Sequence, residues 1–435
     1  MRENEGWMRR RTIPSTAQLV VLGAGTLLGL AGVVVAGFAV YQLTLAVAAV
    51  FYRGFNRRTD ATPPRSRLIV LVPAHDEAAL IGRCVRSLRT QTYPGDLYEI
   101  VVVADNCTDE TAPLAQAEGA EVLVRDVPDA RGKGHALRWA IERVLDREPA
   151  PDAIVVVDAD SEADPSFLEA LVAPFAQGAQ AVQGESLLNP EGSPQAALRA
   201  TAFLLVNRVR PAGRAVLGAP CNLAGNGMLL SRALLVAHPW NAFTSAEDLE
   251  YSIHLQANGV GPAFAGGAIL RSPAAPNPHA AAEQQLRWEG GRAHVARKQI
   301  PRLLGTAVRQ RRPSLVGTAL ELAVPPLGLL AAAAVVGTAV AAVLFAAGAT
   351  SAWPLAPWLV AVAAIPLYVL VGLVAARAPV WAYRSLVRAP LIVSSKLLNV
   401  RRVFGFDAGS WVRTERAGDE PPTSPPTATK PHSRT

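Results

Sequence analysis

The 435-residue chain has only three cysteines, Cys84, Cys107 and Cys221, far apart in sequence. They form no Cys-x-x-Cys pair and no metal-ligand spacing, which excludes a zinc cluster and fits reduced thiols in a cytosolic domain. His238, His254, His279 and His294 also lack ligand spacing. Structural or solvated roles are expected for them and for His75 and His135. No internal repeat is present. The net charge is +7, but no basic–aromatic interleaving marks a nucleic-acid groove. The basic residues crowd beside apolar segments, so the membrane surface is the expected partner and nucleic acid is not.

Charge is missing altogether from residues 19–52. This run is too long for a signal-peptide core and has no convincing cleavage site. It is long for one span of roughly 20 residues and short for two. A single tilted helix and a tight hairpin both stay open; the absence of a polar turn cluster favours the single helix. Arg9, Arg10 and Arg11 precede the run, and Arg53, Arg57, Arg58, Arg65 and Arg67 follow it. The more basic following side is expected in the cytosol. Two further apolar segments cover Leu315–Ala347 and Trp353–Ala376, and Arg377, Arg384, Arg388, Lys396, Arg401 and Arg402 come after them. The expected layout is an N-terminal membrane segment (1–58), a Pro-containing linker (59–67) and a cytosolic domain (68–300). A two-span region (301–378), a basic interfacial segment (379–416, its helix over 380–403) and a disordered Pro/Thr/Ser-rich tail (417–435) follow.

Within 68–300, the runs Leu68–Val72, Ile100–Ala104, Val122–Val124 and Ile154–Val157 read as strands. Leu80, Ile81, Cys84, Val85 and Leu88 recur at helical spacing between the first two. Strand and helix in alternation predict an α/β domain with a mostly parallel sheet, which binds ligands at the carboxyl ends of its strands.

The polar motifs fall at those ends. Val157-Asp158-Ala159-Asp160 runs from an apolar strand into two carboxylates one residue apart. Held that close, they repel, and Mg²⁺ or Mn²⁺ relieves the repulsion with carboxylate oxygens and substrate phosphates. Pro73-Ala74-His75-Asp76-Glu77 follows the first strand, and Asp105 ends the second, where it can accept hydrogen bonds from a base or ribose. Asp109 and Thr108 read as helix-start residues. Gly132-Lys133-Gly134 is a glycine-flanked cation suited to a phosphate. Gln284, Arg287 and Trp288 are spaced three and four apart, on one helix face. There the tryptophan offers a stacking platform for a sugar and the arginine can face a diphosphate.

Together these motifs resemble the family 2 glycosyltransferases of the GT-A fold, whose membrane-bound branch includes cellulose, chitin, hyaluronan and poly-N-acetylglucosamine synthases and ceramide glucosyltransferases. The resemblance covers about Leu68 to Ile300. Ser245-Ala246-Glu247-Asp248 looks like the family's Thr-Glu-Asp motif, with Ala246 in place of threonine, and Gln284-Gln285-Leu286-Arg287-Trp288 matches its Gln-x-x-Arg-Trp motif. Leu223 to Met228 resembles its glycine-rich acceptor-side segment. The resemblance implies a nucleotide-sugar-binding domain flanked by transmembrane helices. Pro73, Ala74, Glu77, Asp105, Lys133, Asp158 and Asp160 would bind the donor, with Asp160 the metal ligand and Mg²⁺ or Mn²⁺ the cofactor. Asp248 would be the general base, and Glu247, Gln284, Arg287 and Trp288 would serve the acceptor and diphosphate. The partners implied are a nucleotide-diphosphate sugar and a saccharide or lipid acceptor, with an export partner or a second copy also open. The expected place is the plasma membrane, multi-pass, with a cytosolic catalytic domain. Transfer would invert the donor, and processive polysaccharide synthesis is one outcome. The rivals are a sugar-nucleotide pyrophosphorylase, which needs neither spans nor the Gln-x-x-Arg-Trp helix, and a catalytically silent export partner.

Overall fold

The computed structural model describes residues 16–56, 65–275 and 277–390. The chain opens with one continuous helix, α1 (Thr16–Val50). An α/β unit follows: β1 (Leu68–Ala74), α2 (Ile81–Arg89), β2 (Tyr98–Asp105), α3 (Thr111–Ala117), β3 (Glu121–Arg125), α4 (Lys133–Val144) and β4 (Ala153–Val156). The short β5 (Glu162–Ala163), α5 (Phe167–Ala176), β6 (Ala181–Leu188), α6 (Pro194–Leu204) and α7 (Arg210–Val216) come next, the last two joined by a π-helical turn, Leu205–Val209. Then come β7 (Met228–Ser231), α8 (Arg232–Ala237), α9 (Glu247–Ala257), β8 (Ala263–Ser272), α10 (Pro278–Arg309), α11 (Ser314–Ala323), α12 (Leu327–Ala346), α13 (Leu355–Ala375) and α14 (Val380–Ser385).

The eight strands form one sheet in the order β3-β2-β1-β4-β7-β6-β8-β5. β1 lies between β2 and β4, parallel to both, and β2 is parallel to β3. Leu68, Val70 and Val72 of β1 share a core with Ile81, Cys84, Val85 and Leu88 of α2. Ile69 and Leu71 share the other core with Ala136, Leu137, Ala140 and Ile141 of α4. Helices cover both faces, which is why these strands read as unbroken apolar runs. The sheet is mostly parallel, as expected, and its second half brings in two antiparallel strands. β7 runs antiparallel to β4 and β6, β5 antiparallel to β8, and in that half only β6–β8 is parallel. No helix crosses over between β6 and β8 alone; β7 enters the sheet from a glycine loop and inserts between β4 and β6.

Among the described residues, three helices are long and apolar enough to cross a membrane: Gly23–Val50 within α1, α12 and α13. The indole Nε1 of Trp358 in α13 donates to the Leu28 carbonyl of α1 at 3.2 Å. The expected Leu315–Ala347 span is two helices, α11 and α12, because Pro325 and Pro326 break it. The domain boundary expected at Ile300 falls inside α10, which continues through Pro301 to Arg309. Of the expected interfacial helix over 380–403, α14 is seen. The rest of it lies outside the described residues, as do most of the 59–67 linker, the 417–435 tail, and Arg9–Arg11, Arg57, Arg58, Lys396, Arg401 and Arg402.

Polar contacts tie the long apolar helices to the sheet. Just after α1, the Tyr52 hydroxyl donates to the Phe264 carbonyl of β8 at 3.1 Å and accepts from the Gly266 amide at 3.0 Å. Deeper in, Glu321 of α11 accepts from the Tyr41 hydroxyl of α1 at 2.9 Å and pairs with Arg210 of α7. Arg214, one turn on, lies 3.6 Å from Glu321 and donates to the Tyr41 hydroxyl at 2.7 Å. Arg292 of α10 donates to the Glu321 carbonyl at 2.5 Å. Glu321, Arg210 and Arg214 are all buried, so charges this far from water persist because each has partners. Three helices, α1, α7 and α11, meet at this carboxylate, and α10 joins them through the Glu321 carbonyl.

Candidate active site

At the first strand ends, β1 delivers Pro73 and Ala74, and the buried Glu77 follows with its amide donating to Thr111 Oγ1 at 2.7 Å. Asp105 closes β2. The parallel register sets Arg125, the last residue of β3, directly opposite it. The two side chains pair and both are buried. The second Arg125 nitrogen donates to the Ala130 carbonyl at 2.8 Å, and Asn106 Nδ2 donates to Asp105 Oδ1 at 2.9 Å. Burial raises the Asp105 carboxyl, and Arg125 pulls it back. Arg125 therefore fixes both the charge and the orientation of Asp105. His75 Nδ1 lies 2.7 Å from the Asp105 carbonyl, which bridges the two strand ends.

Beyond β4, the Asp158 amide donates to Asn226 Oδ1 at 3.0 Å, and the Asn226 side-chain amide donates to Ser161 Oγ at 2.9 Å and Ser186 Oγ at 3.2 Å. Asn226 thus clamps the Asp158–Ser161 turn from the glycine-rich segment. Lys133, the first residue of α4, pairs with Asp158 and donates to the Gly225 carbonyl at 2.7 Å. The Lys133 ammonium is pulled down by burial, but Asp158, Glu247 and Asp248 outweigh this and raise it. It is thus held charged among carboxylates. Burial pushes the Cys84 thiol far up, and Asp160, Asp158, Glu162 and Glu77 push it further, in that order. The sheet end is strongly anionic around Asp158 and Asp160. Two hard oxygen donors in that field fit Mg²⁺ or Mn²⁺ completed by diphosphate oxygens. Among the described residues, one group of three ligand-type side chains has its atoms within 4.8 Å, namely Asp76, Cys107 and Asp109. It lies elsewhere, and its carboxylates accept from the Thr108, Ala78 and Thr111 amides, so it reads as a loop knot.

Glu247 and Asp248 are the first residues of α9. Burial and then Asp248 push Glu247 up to about 7. Burial raises Asp248 as well, while Lys133 opposes it. The pair titrates as a unit above the ordinary carboxylate range. Gly225, at φ +72°, separates this pair from the phosphate end. A Cβ there would sit 3.1 Å from Asp248 Oδ2 and 3.2 Å from Lys133 Nζ. Asp248, Lys133 and, through its pairing with Lys133, Asp158 therefore converge around one glycine.

The third piece arrives on α10. Gln284, Arg287 and Gly291 recur at helical spacing, so the face carrying the Gln-x-x-Arg-Trp residues is also the face at Gly291. A Cβ at Gly291 would lie 2.9 Å from Ser245 Oγ and 3.2 Å from the Ala246 Cβ. The missing side chain lets α10 close on the start of α9. Gln284 and Arg287 are half-buried, and Trp288 is 39% exposed. The Trp288 ring lies 5.4 Å from Phe203 of α6.

The profile of the family described as Glycosyltransferase like family 2 matches residues 63–291. The chain belongs to this family. This family 2 glycosyltransferase is 29% identical over 204 residues to a beta-monoglucosyldiacylglycerol synthase of Synechocystis, covering 45% of this chain and 41% of that protein. It is 33% identical over 129 residues to a 4,4'-diaponeurosporenoate glycosyltransferase of Staphylococcus aureus, covering 27% and 32%. The chain thus spans less than half the length of either. Among solved structures, it resembles the mannosyltransferase PcManGT of Pyrobaculum calidifontis, which is in complex with GDP-Man and Mn²⁺, at 19% identity and a TM-score of 0.45, over 78% of this chain and 98% of that one.

Two residues that hold candidate site side chains in place escape a reading of the sequence: Arg125, against Asp105, and Asn226, against the Asp158–Ser161 turn. Asn226 lies in the segment Leu223–Met228, to which no residue roles were given. A signal for Arg125 exists in hindsight, since a strand-end arginine falls opposite a strand-end aspartate once β2 and β3 are paired in parallel.

Proposed function

We propose that this protein transfers a sugar from a nucleoside-diphosphate donor to an acceptor hydroxyl at the cytosolic membrane face, with inversion at the anomeric carbon. The convergence of Lys133, Asp158 and Asp248 around Gly225 carries this reading. It puts a phosphate-type cation and a carboxylate base on two sides of one space. Glu77 and Asp105 grip the nucleoside, with Pro73 and Ala74 as backbone at its edge. Asp158 and Asp160 would hold Mg²⁺ or Mn²⁺, which when bound offsets charge on the diphosphate. Lys133 adds to that stabilisation from the protein side. Asp248 accepts the proton of the acceptor hydroxyl as its oxygen bonds to the anomeric carbon, and the bond to the diphosphate breaks. Glu247 serves the acceptor beside Asp248, Gln284 and Arg287 face the diphosphate, and Trp288 stacks on the acceptor.

A lipid acceptor is the favoured class. The acceptor-side helices α6 and α10 adjoin the membrane helices, and the Synechocystis relative is named for making a glucosyldiacylglycerol. The family assignment displaces the pyrophosphorylase reading. Membranes containing the protein, incubated with a panel of labelled nucleotide sugars, should yield one labelled lipid or saccharide with a single donor. Product length separates one transfer from processive synthesis, and a product made equally well by the Asp248→Asn variant would defeat the reading. A reporter fused near residue 417 should be cytosolic.

A further inference from the structure

We propose that Arg199, one helical turn from Phe203, binds a phosphate group carried by the acceptor. The inference rests on the reading of α6 and α10 as the acceptor side. α6 leaves the sheet at the same end as Asp158, because β6 runs parallel to β4 through the intervening antiparallel β7. The other arginines that follow on this helical stretch are all engaged: Arg208 with Glu185 at 3.0 Å, Arg210 with Glu321, and Arg214 with the Tyr41 hydroxyl at 2.7 Å. Arg199 is half-buried and has neither a hydrogen bond nor an ion pair among the described residues. Burial alone acts on its guanidinium, lowering it, with no carboxylate to offset the loss of water.

A half-desolvated charge without a partner is costly, and an anion removes that cost. Phe203 lies one helical turn on from Arg199, so the two side chains are neighbours on one face. Phe203 in turn contacts the Trp288 ring at 5.4 Å and 54°. A guanidinium one helical turn from an aromatic pair matches a phosphate attached to an apolar chain or a sugar ring. The donor diphosphate has its own cation in Lys133, so it does not account for Arg199.

Calorimetry on the full chain in dodecyl maltoside, a detergent without phosphate, tests this with inorganic phosphate and geranyl phosphate as probes. Wild type should bind geranyl phosphate. Arg199→Gln should weaken it at least tenfold and Arg199→Lys should fall between, because a charge-assisted bidentate contact is lost or reduced. Binding of the donor nucleotide with Mg²⁺ should be unchanged in both variants, which also reports that they fold. Geranyl phosphate held much more tightly than inorganic phosphate identifies a lipid phosphate; equal affinities, both dependent on Arg199, identify a phosphate on a soluble acceptor. Identical phosphate binding by wild type and Arg199→Gln, or no binding of either probe to wild type, would overturn the inference. Failure of the glycosyltransferase reading would appear separately, as wild type that neither binds nor turns over any nucleotide sugar.

Discussion

The two halves of the sheet are built on different physics. From β1 to β4 the strands are parallel, apolar on both faces and covered by helices, and the side chains with chemistry sit only at their ends. From β5 to α11 the strands are mixed in direction and the joins are buried polar contacts, Glu185 with Arg208 and Glu321 with Arg210, Arg214 and Tyr41. The first half is held by apolar burial, which is non-directional and tolerant. The second adds to its apolar core paired charges that are costly to break and that reach the long apolar helices. The parallel half is thereby joined to a mixed half whose geometry depends on how α1 and α11 meet.

That contrast can be broken from either side. Asp160→Asn should abolish transfer while leaving folding and membrane insertion intact, since it removes one hard oxygen ligand and its charge from the end of an apolar strand. Excess chelator should mimic it, and a product assay in chelator checks both. Glu321→Ala should do the reverse and act on stability first. Removing one partner of a buried network leaves Arg210 and Arg214 uncompensated, at about 3–5 kcal/mol, read as a lower melting temperature in detergent. Gly225→Ala should cost roughly 1–2 kcal/mol in the left-handed backbone region. With its Cβ pressed between Lys133 and Asp248, turnover should fall about tenfold per 1.4 kcal/mol of misplacement, and the backbone strain should lower the melting temperature by a few degrees.

The smallest effect concerns pH. Asp248 must be ionised to accept a proton, so kcat/KM should rise with pH along an acidic limb. Burial raises the Asp248 and Glu247 pair, so the limb lies above the ordinary carboxylate range. Lys133 opposes that shift. Lys133→Gln therefore raises the pair further and moves the limb to higher pH, beyond its effect on rate. A limb displaced to lower pH would contradict the electrostatic coupling.

The donor half was largely legible in the sequence for the same reason that it is robust. Leu68–Val72 and Ile154–Val157 are apolar runs with turn residues at their ends, and Glu77, Asp105, Asp158 and Asp160 follow them directly. The spacing of Gln284, Arg287 and Trp288 likewise placed them on one helix. The acceptor half hid its determinants in long-range contacts. Glu321 is 111 residues from Arg210 and reads in sequence as one acid within an apolar segment. The Pro325–Pro326 break was outweighed by the apolar composition around it. The antiparallel insertion of β7 depends on a glycine loop whose local sequence carries no strand-direction signal.

Asp248→Asn tests the account most directly, by calorimetry with the donor nucleotide and Mg²⁺ alongside turnover by product assay. If the donor half binds independently and Asp248 acts only as base, nucleotide affinity stays near the wild-type value while turnover falls by about 10²–10⁴-fold. A loss of nucleotide affinity as severe as that of Asp105→Ala would contradict the account and move Asp248 into the donor site.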